Sequence, residues 1–203
     1  GLGNLYVNAV AFDPEVPTTI YAATDAGVFK STNSGTSWAA TPLAAGEVTD
    51  LVTDNEGTGR RIWATVAGQG VAYSADAGAT FTVYSSGLAS LQLTSLELEV
   101  RGTGRRIWAT THGGEGIAYS DDLGQNWVSA AGNGLTDRDV NDLAIQTGTG
   151  RRIWATTNSG VFASDNDGLS WNDLSIGLPS GIPATSVSID PNSGETLVSL
   201  FSD

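Results

Sequence analysis

Six arginines in three adjacent pairs, Arg60-Arg61, Arg105-Arg106 and Arg151-Arg152, are the first residues whose type and spacing could do chemistry. A guanidinium is a planar fork matched to a carboxylate or phosphate, so pairs brought together could clamp an anion. They make up six of the eight arginines in a chain with 9 Lys+Arg, 22 Asp+Glu and a formal net charge of -13. The second candidate is His112, the only histidine, three residues before Glu115. Such a pair could move protons, although a single His in a Gly-rich turn is more often simply exposed. Asp25, Glu115 and Asp137 are candidate carboxylates for glycoside cleavage, which needs two acids facing each other across a cleft, but nothing in their spacing selects a pair. Asp165, Asp167 and their neighbours could contribute to a Ca²⁺ site, yet one turn supplies too few converging oxygens, so a structural role is expected. No catalytic residue, metal site or cofactor is expected.

The elements that must position these residues are repeats. Gly-Thr-Gly-Arg-Arg-Ile-Trp-Ala-Thr occurs letter for letter at Gly57 to Thr65, Gly102 to Thr110 and Gly148 to Thr156, 45 and 46 residues apart. About ten residues after each copy comes Ser-x-Asn/Asp-x-Gly-x-x-Trp/Phe. First strands align as Asn8 to Asp13, Thr49 to Asp54, Thr94 to Glu99, Asn141 to Gln146 and Thr185 to Asp190, with Val10, Leu51, Leu96, Leu143 and Val187 at the third position. That is period-2 alternation. Second strands are expected at Thr19 to Thr24, Arg61 to Val66, Arg106 to Thr111, Arg152 to Thr157 and Glu195 to Leu200. Third strands fall at Gly27 to Ser31, Gly70 to Ser74, Gly116 to Ser120 and Gly160 to Ser164. Fourth strands fall at Ser37 to Thr41, Thr80 to Tyr84, Asn126 to Ala130 and Ser170 to Leu174. No segment sustains a 3.6-residue period, so essentially no helix is expected. Four strands per 41 to 47 residues is the blade pattern of an all-β propeller. The expected blades are residues 1-41, 42-86, 87-133 and 134-176, with the first two strands of a fifth in 177-203, all in one domain or propeller fragment.

The second phrase reads Ser31-Thr-Asn33-Ser-Gly35-Thr-Ser-Trp38, Ser74-Ala-Asp76-Ala-Gly78-Ala-Thr-Phe81, Ser120-Asp-Asp122-Leu-Gly124-Gln-Asn-Trp127 and Ser164-Asp-Asn166-Asp-Gly168-Leu-Ser-Trp171. It resembles the Asp-box, the bacterial neuraminidase repeat of sialidases, sortilin-type receptors, xyloglucanases and photosystem II assembly factors. The resemblance covers nearly the whole chain and implies a propeller fold without fixing a function. In such a turn the Asx side chain accepts from backbone N–H groups, Gly takes positive φ, and the aromatic packs between blades. Sialidase-like propellers clamp a substrate carboxylate with three arginines. The arginine pairs here fall at the turn between first and second strands, which the resemblance places on the face opposite the usual substrate face, and the Arg-Ile-Pro signature is missing. Stems packed between blades and guanidiniums paired to carboxylates such as Glu56 are expected instead, with an anion- or partner-binding ring as the alternative.

Blade-to-blade differences concentrate in the turns between second and third strands and in the crossings between blades. Asp25, Gln69, His112, Glu115, Asn158 and Asp137 are therefore the candidate ligand-binding residues. Trp63, Trp108 and Trp154 recur at one strand position, as expected for inter-blade packing rather than sugar stacking. The acidic charge argues against nucleic acid or an anionic membrane surface, and no run of 18 apolar residues is available for a membrane helix. Cysteine is absent, which removes disulfides and thiolate chemistry. A Gly at residue 1 suggests a processed or excised product, and an acidic, Lys-poor, Thr/Ser/Gly-rich surface suits an extracellular setting. The leading functional expectation is a non-catalytic module recognising protein or glycan. The alternatives are part of a glycoside hydrolase of xyloglucanase or sialidase type, or a homo-oligomer formed through the open edge of the fifth blade.

Overall fold

In a computed structural model, residues 1–2, 5–43, 46–55, 60–147, 150–190 and 193–201 are described. Glu56 and parts of two arginine-bearing turns (57–59 and 148–149) lie outside them. The described residues form strands and turns without helix. β1 (Val7–Phe12), β2 (Ile20–Thr24), β3 (Gly27–Ser31) and β4 (Ala39–Ala40) make blade I, an antiparallel sheet in chain order. Blade II holds β5 (Val48–Asp54), β6 (Arg61–Val66), β7 (Gly70–Ser74) and β8 (Thr82–Tyr84). Blade III holds β9 (Leu93–Arg101), β10 (Gly104–Thr111), β11 (Ile117–Ser120) and β12 (Val128–Ser129). Blade IV holds β13 (Val140–Gln146), β14 (Arg152–Thr157), β15 (Gly160–Ser164) and β16 (Asn172–Asp173). β17 (Ala184–Ile189) and β18 (Thr196–Leu200) pair as a two-stranded blade V. The chain is thus an arc of a β-propeller: four four-stranded blades and a partial fifth.

The outermost strands are shorter than the sequence pattern suggests, and in blades III and IV the aromatic residue before the strand bonds outside its own sheet. Trp127 N–H donates to Ser86 O and Trp171 N–H to Asn133 O, in the crossings that lead into their blades. Gly87 and Gly134 stand there with φ of +91° and +94°, and a Cβ on either would collide with the carbonyl of Trp127 or Trp171. A left-handed backbone and a close approach both require glycine.

Each first strand carries a register shift at the same place, at Asn8, Thr49, Thr94, Asn141 or Thr185. Such a bulge re-aims a side chain. Four of these residues reach into the next blade: Asn8 Nδ2 to Val48 O (2.9 Å), Thr49 Oγ1 to Leu93 O (3.0 Å), Thr94 Oγ1 to Val140 O (2.7 Å) and Asn141 Nδ2 to Ala184 O (2.9 Å).

The core lies between blades, not within them. Each sheet has a leading face toward the preceding blade and a trailing face toward the next. Tyr21, Ala23 and Val28 on the trailing face of blade I pack against Val48, Leu51, Ile62 and Ala64 on the leading face of blade II. Trp63 and Val71 meet Leu93, Leu96, Ile107 and Ala109 at the next junction. Trp108 and Ile117 meet Val140, Leu143, Ile153 and Ala155 at the third. Each fully buried Val, Leu or Ile side chain contributes roughly 1.5–3 kcal/mol of hydrophobic stabilisation, so the junctions hold the fold together.

Candidate functional site

The arginine pairs form a belt of ion pairs along the turns between first and second strands. The first arginine of each pair reaches back to a carboxylate at or near the end of the first strand of the preceding blade. Arg60 Nη1 bonds Asp13 Oδ2 at 3.0 Å, Arg105 Nε bonds Asp54 Oδ2 at 2.9 Å, and Arg151 grips both oxygens of Glu99. All three carboxylates are buried. At the blade IV–V junction the aligned residues are Gly194 and the neutral Gln146, so acid and base disappear together. The second arginines pair within their own blades: Arg106 forks onto Asp121 and Arg152 onto Asp165. Blade II has Ala75 at that position, and Arg61 faces Asp54 instead. Burial opposes ionisation of Glu99, but hydrogen bonds from Arg151, Trp108 and Arg101 hold its pKa below the ordinary carboxylate value. Asp165 and Asp167, the residues considered for Ca²⁺, hold guanidiniums: Arg152 on the former, Arg101 and Arg151 on the latter. The belt joins blades to one another.

The four Ser-x-Asx-x-Gly turns share one set of bonds. The Ser hydroxyl accepts from the Asx and Gly N–H groups and donates to the Asx Oδ1, as at Ser31, Asn33 and Gly35. The Asx Oδ1 then accepts from the N–H four residues on, at Ser37, Thr80, Asn126 and Ser170. Asp76, Asp122 and Asn166 repeat this geometry with Gly78, Gly124 and Gly168. Ser34, Ala77, Leu123 and Asp167 hold positive φ immediately before the glycine. This turns a carbonyl toward the preceding blade: Ala77 O accepts from Tyr21 Oη and Lys30 Nζ, and Leu123 O from Trp63 Nε1. Trp127 and Trp171 are buried at the junctions, Phe81 packs on the first, and Trp38 is half-buried. Trp108 Nε1 finds Glu99 Oε2 instead, and Trp154 Nε1 is buried with no hydrogen-bond partner.

On the varied face the structure gathers some of the candidate ligand residues and separates others. His112 Nε2 lies 3.0 Å from Asn141 Oδ1, and Asn141 Nδ2 donates to Asn158 Oδ1, so His112 and Asn158 belong to one chain spanning blades III and IV. Glu115 does not face His112. It is buried, and its Oε2 accepts from the N–H groups of Ala89 and Ser90, leaving Oε1 buried and unpartnered. Asp137 Oδ1 accepts from Asp139 N–H. Asp25 and Gln69 are exposed in the turns of blades I and II. Between blades II and III a groove of about 340 Å³ is lined by Thr49, Ala67, Gly68, Leu91, Gln92 and His112, among others. None of its described lining residues is acidic.

A second cavity, of about 420 Å³, opens on the trailing sides of the first strands and contains carboxylates the sequence reading did not single out. Asp50 Oδ2 accepts from Leu96 N–H (2.7 Å) and lies 3.1 Å from Ser95 Oγ; Asp142 Oδ1 lies 3.0 Å from the same Oγ. One hydroxyl has one proton and can serve only one of the two carboxylates. Burial pushes the Asp50 pKa up, and Asp142 adds to it. Glu97 lines the same cavity; burial, then Asp142, Asp50 and Glu99, push its pKa up to about 7. The signal was available: Asp50 and Asp142 occupy the second position of aligned first strands and Glu97 the fourth, so alternation puts them opposite Leu51, Leu96 and Leu143.

The architecture defines a β-propeller. No family model and no curated protein sequence matches the chain. Among solved structures it is similar to an ancestral GH74 enzyme at 20% identity and a TM-score of 0.80, over 97% of this chain and 29% of that one. It is also similar to the GH74 xyloglucanase from Xanthomonas campestris (19%, TM-score 0.69, 98% of this chain and 34% of that one). A third is PorZ, a surface component of the type-IX secretion system of Porphyromonas gingivalis (13%, TM-score 0.67, 96% and 31%). The chain spans about a third of the length of each, and at these identities the likeness establishes the fold.

Proposed function

We propose that the chain is a non-catalytic binding or scaffold segment of an extracellular Asp-box propeller, which recognises a protein or glycan on its varied loop face and assembles through its fifth blade. The observation that carries the recognition reading is the groove between blades II and III. It is concave, formed by the loops in which blades differ, and lined by apolar groups, Thr and Gln side chains and His112, with no acid among its described residues. A glycosidase needs two facing carboxylates, whereas Glu115 and Asp137 here are tied to backbone N–H groups. Similarity to a surface component such as PorZ supports the extracellular setting. The test is binding of xyloglucan oligosaccharides, sialosides and a peptide library to the chain and to Gln92→Ala and His112→Ala. Binding that both variants weaken supports the reading. Binding that neither affects, or release of reducing ends by the chain itself, overturns it.

A second reading, a portion of a glycoside hydrolase, is favoured by Glu97. A carboxyl with a pKa near 7 is suited to donate a proton to a leaving group, and the likeness to GH74 enzymes points the same way. Xyloglucan hydrolysis abolished by Glu97→Gln would establish it.

A further inference from the structure

The groove between blades II and III contains one ring nitrogen whose role is decided by the packing around it. Asn141 Nδ2 lies 2.9 Å from Ala184 O. A backbone carbonyl only accepts, so the amide nitrogen of Asn141 must be the atom that faces it. The Asn141 oxygen is thereby turned to His112 Nε2, at 3.0 Å, and that nitrogen must carry the proton. In a neutral imidazole the other nitrogen then holds a lone pair. His112 Nδ1 has no hydrogen-bond partner among the described residues and is not buried. His112 therefore lends the groove an acceptor that asks for an N–H or O–H donor and turns a carboxylate away.

The rest of the groove narrows the class of donor. Ala67, Leu91 and Leu93 give it aliphatic side chains, and no Trp, Tyr or Phe lines it among the described residues, so a sugar ring finds no flat apolar platform. Gln92 is exposed, and its side-chain amide makes no hydrogen bond among the described residues, which leaves a donor and an acceptor of the kind a peptide backbone matches. Charge points the same way. The varied loops carry Asp25, Glu47, Glu115, Asp137 and Asp139 against a single cation, Arg138. Two of these acids flank the groove. Glu47 is exposed and its carbonyl accepts from Ala67 N–H; Asp139 is bridged through the backbone to His112. A cationic side chain on either side of an aliphatic one would be attracted at both ends.

We infer that the groove takes an extended peptide segment, an aliphatic side chain between cationic ones, with one of its N–H groups donated to His112 Nδ1. The inference rests on the recognition reading proposed above and specifies the ligand class of that same groove.

The first test needs no ligand. His112 is the only histidine, so its ring signals in nitrogen-edited magnetic resonance spectra require no assignment. At about pH 8, where an imidazole is neutral, the proton is expected on Nε2; a proton on Nδ1 overturns the inference. The second test titrates the chain with acetyl-Lys-Leu-Lys-amide, acetyl-Lys-Ser-Lys-amide and acetyl-Glu-Leu-Glu-amide, by calorimetry and by following the Nδ1 signal. The first peptide is expected to bind about tenfold or more tightly than either control, to move the Nδ1 signal, and to weaken as salt is raised. Glu47→Lys and Gln92→Ala, both at exposed positions, are each expected to weaken it several-fold without changing the melting temperature. Equal affinities for the three peptides overturn the inference, as does binding that leaves the Nδ1 signal in place. If no peptide binds, the inference falls, while the groove reading stands where a xyloglucan oligosaccharide binds and Gln92→Ala weakens it. Peptide binding that ignores both substitutions overturns the inference and the groove reading together.

Discussion

Replacing Glu97 by Gln removes one titrating proton from the cavity shared with Asp50 and Asp142, and the consequence for stability has a definite sign. Burial and the neighbouring acids raise the Glu97 pKa from 4.5 to about 7 in the fold. A group whose folded pKa is raised is fully favourable below its unfolded value and loses that advantage as pH rises through the folded value. The window here runs from about 4.5 to about 7. At about 1.4 kcal/mol per pH unit, the ionised side chain costs the fold about 3 kcal/mol once the pH is above this window. Gln keeps the shape and carries no charge at any pH. Guanidinium chloride unfolding at about pH 5 and about pH 8 should therefore show the native chain losing about 2–3 kcal/mol relative to Glu97→Gln over that interval. Parallel pH dependences for the two proteins would refute the reasoning. They would mean that water reaches Glu97, or that Asp50 and Asp142 carry the proton in its place.

The acid limb should run the other way. Glu99 and Asp167 are held below the ordinary carboxylate value by their arginines against the effect of burial, so their contribution is lost as pH falls through those depressed values, and high salt should change the share of the buried Glu99 less than that of the more exposed Asp167. Arg105→Ala leaves the buried Asp54 carboxylate with only the longer Arg61 contact at 3.9 Å and should cost about 2 kcal/mol, with Asp54→Asn restoring much of it, by equilibrium unfolding of the single and double variants. Trp63→Phe leaves Leu123 O without its donor, whereas Trp154→Phe removes a donor that has no partner; the former should cost about 1 kcal/mol more in the same assay. Gly134→Ala places a methyl against Trp171 O at positive φ and should destabilise by more than about 1 kcal/mol, while Gly177→Ala at the equivalent crossing meets no neighbouring atom and should cost less, in a direct comparison of melting curves.

Repeat spacing, alternation and turn chemistry are local properties of a chain, and they sufficed for the blade architecture here. Val10, Leu51, Leu96, Leu143 and Val187 announce one sheet face, and the four Ser-x-Asx-x-Gly turns are closed by hydrogen bonds spanning at most four residues. That the arginines pair with carboxylates was expected from the sequence, but Glu56, the acid it suggested, lies outside the described residues, and the partners Asp13, Asp54 and Glu99 come from the preceding blade. Contacts across blades were a different matter. Glu115 looked like a ligand-facing acid beside His112 until packing turned it toward Ala89 and Ser90, 26 and 25 residues away in sequence. Ser95 lies between Asp50 and Asp142, 45 and 47 residues distant, and only the stacking of three first strands sets two carboxylates on one hydroxyl. The same stacking decides that Leu51 is 3% exposed and its counterpart Val10 is 56% exposed. A strand's alternation says which residues share a face. Whether that face is covered depends on the neighbouring sheet, which no residue encodes alone.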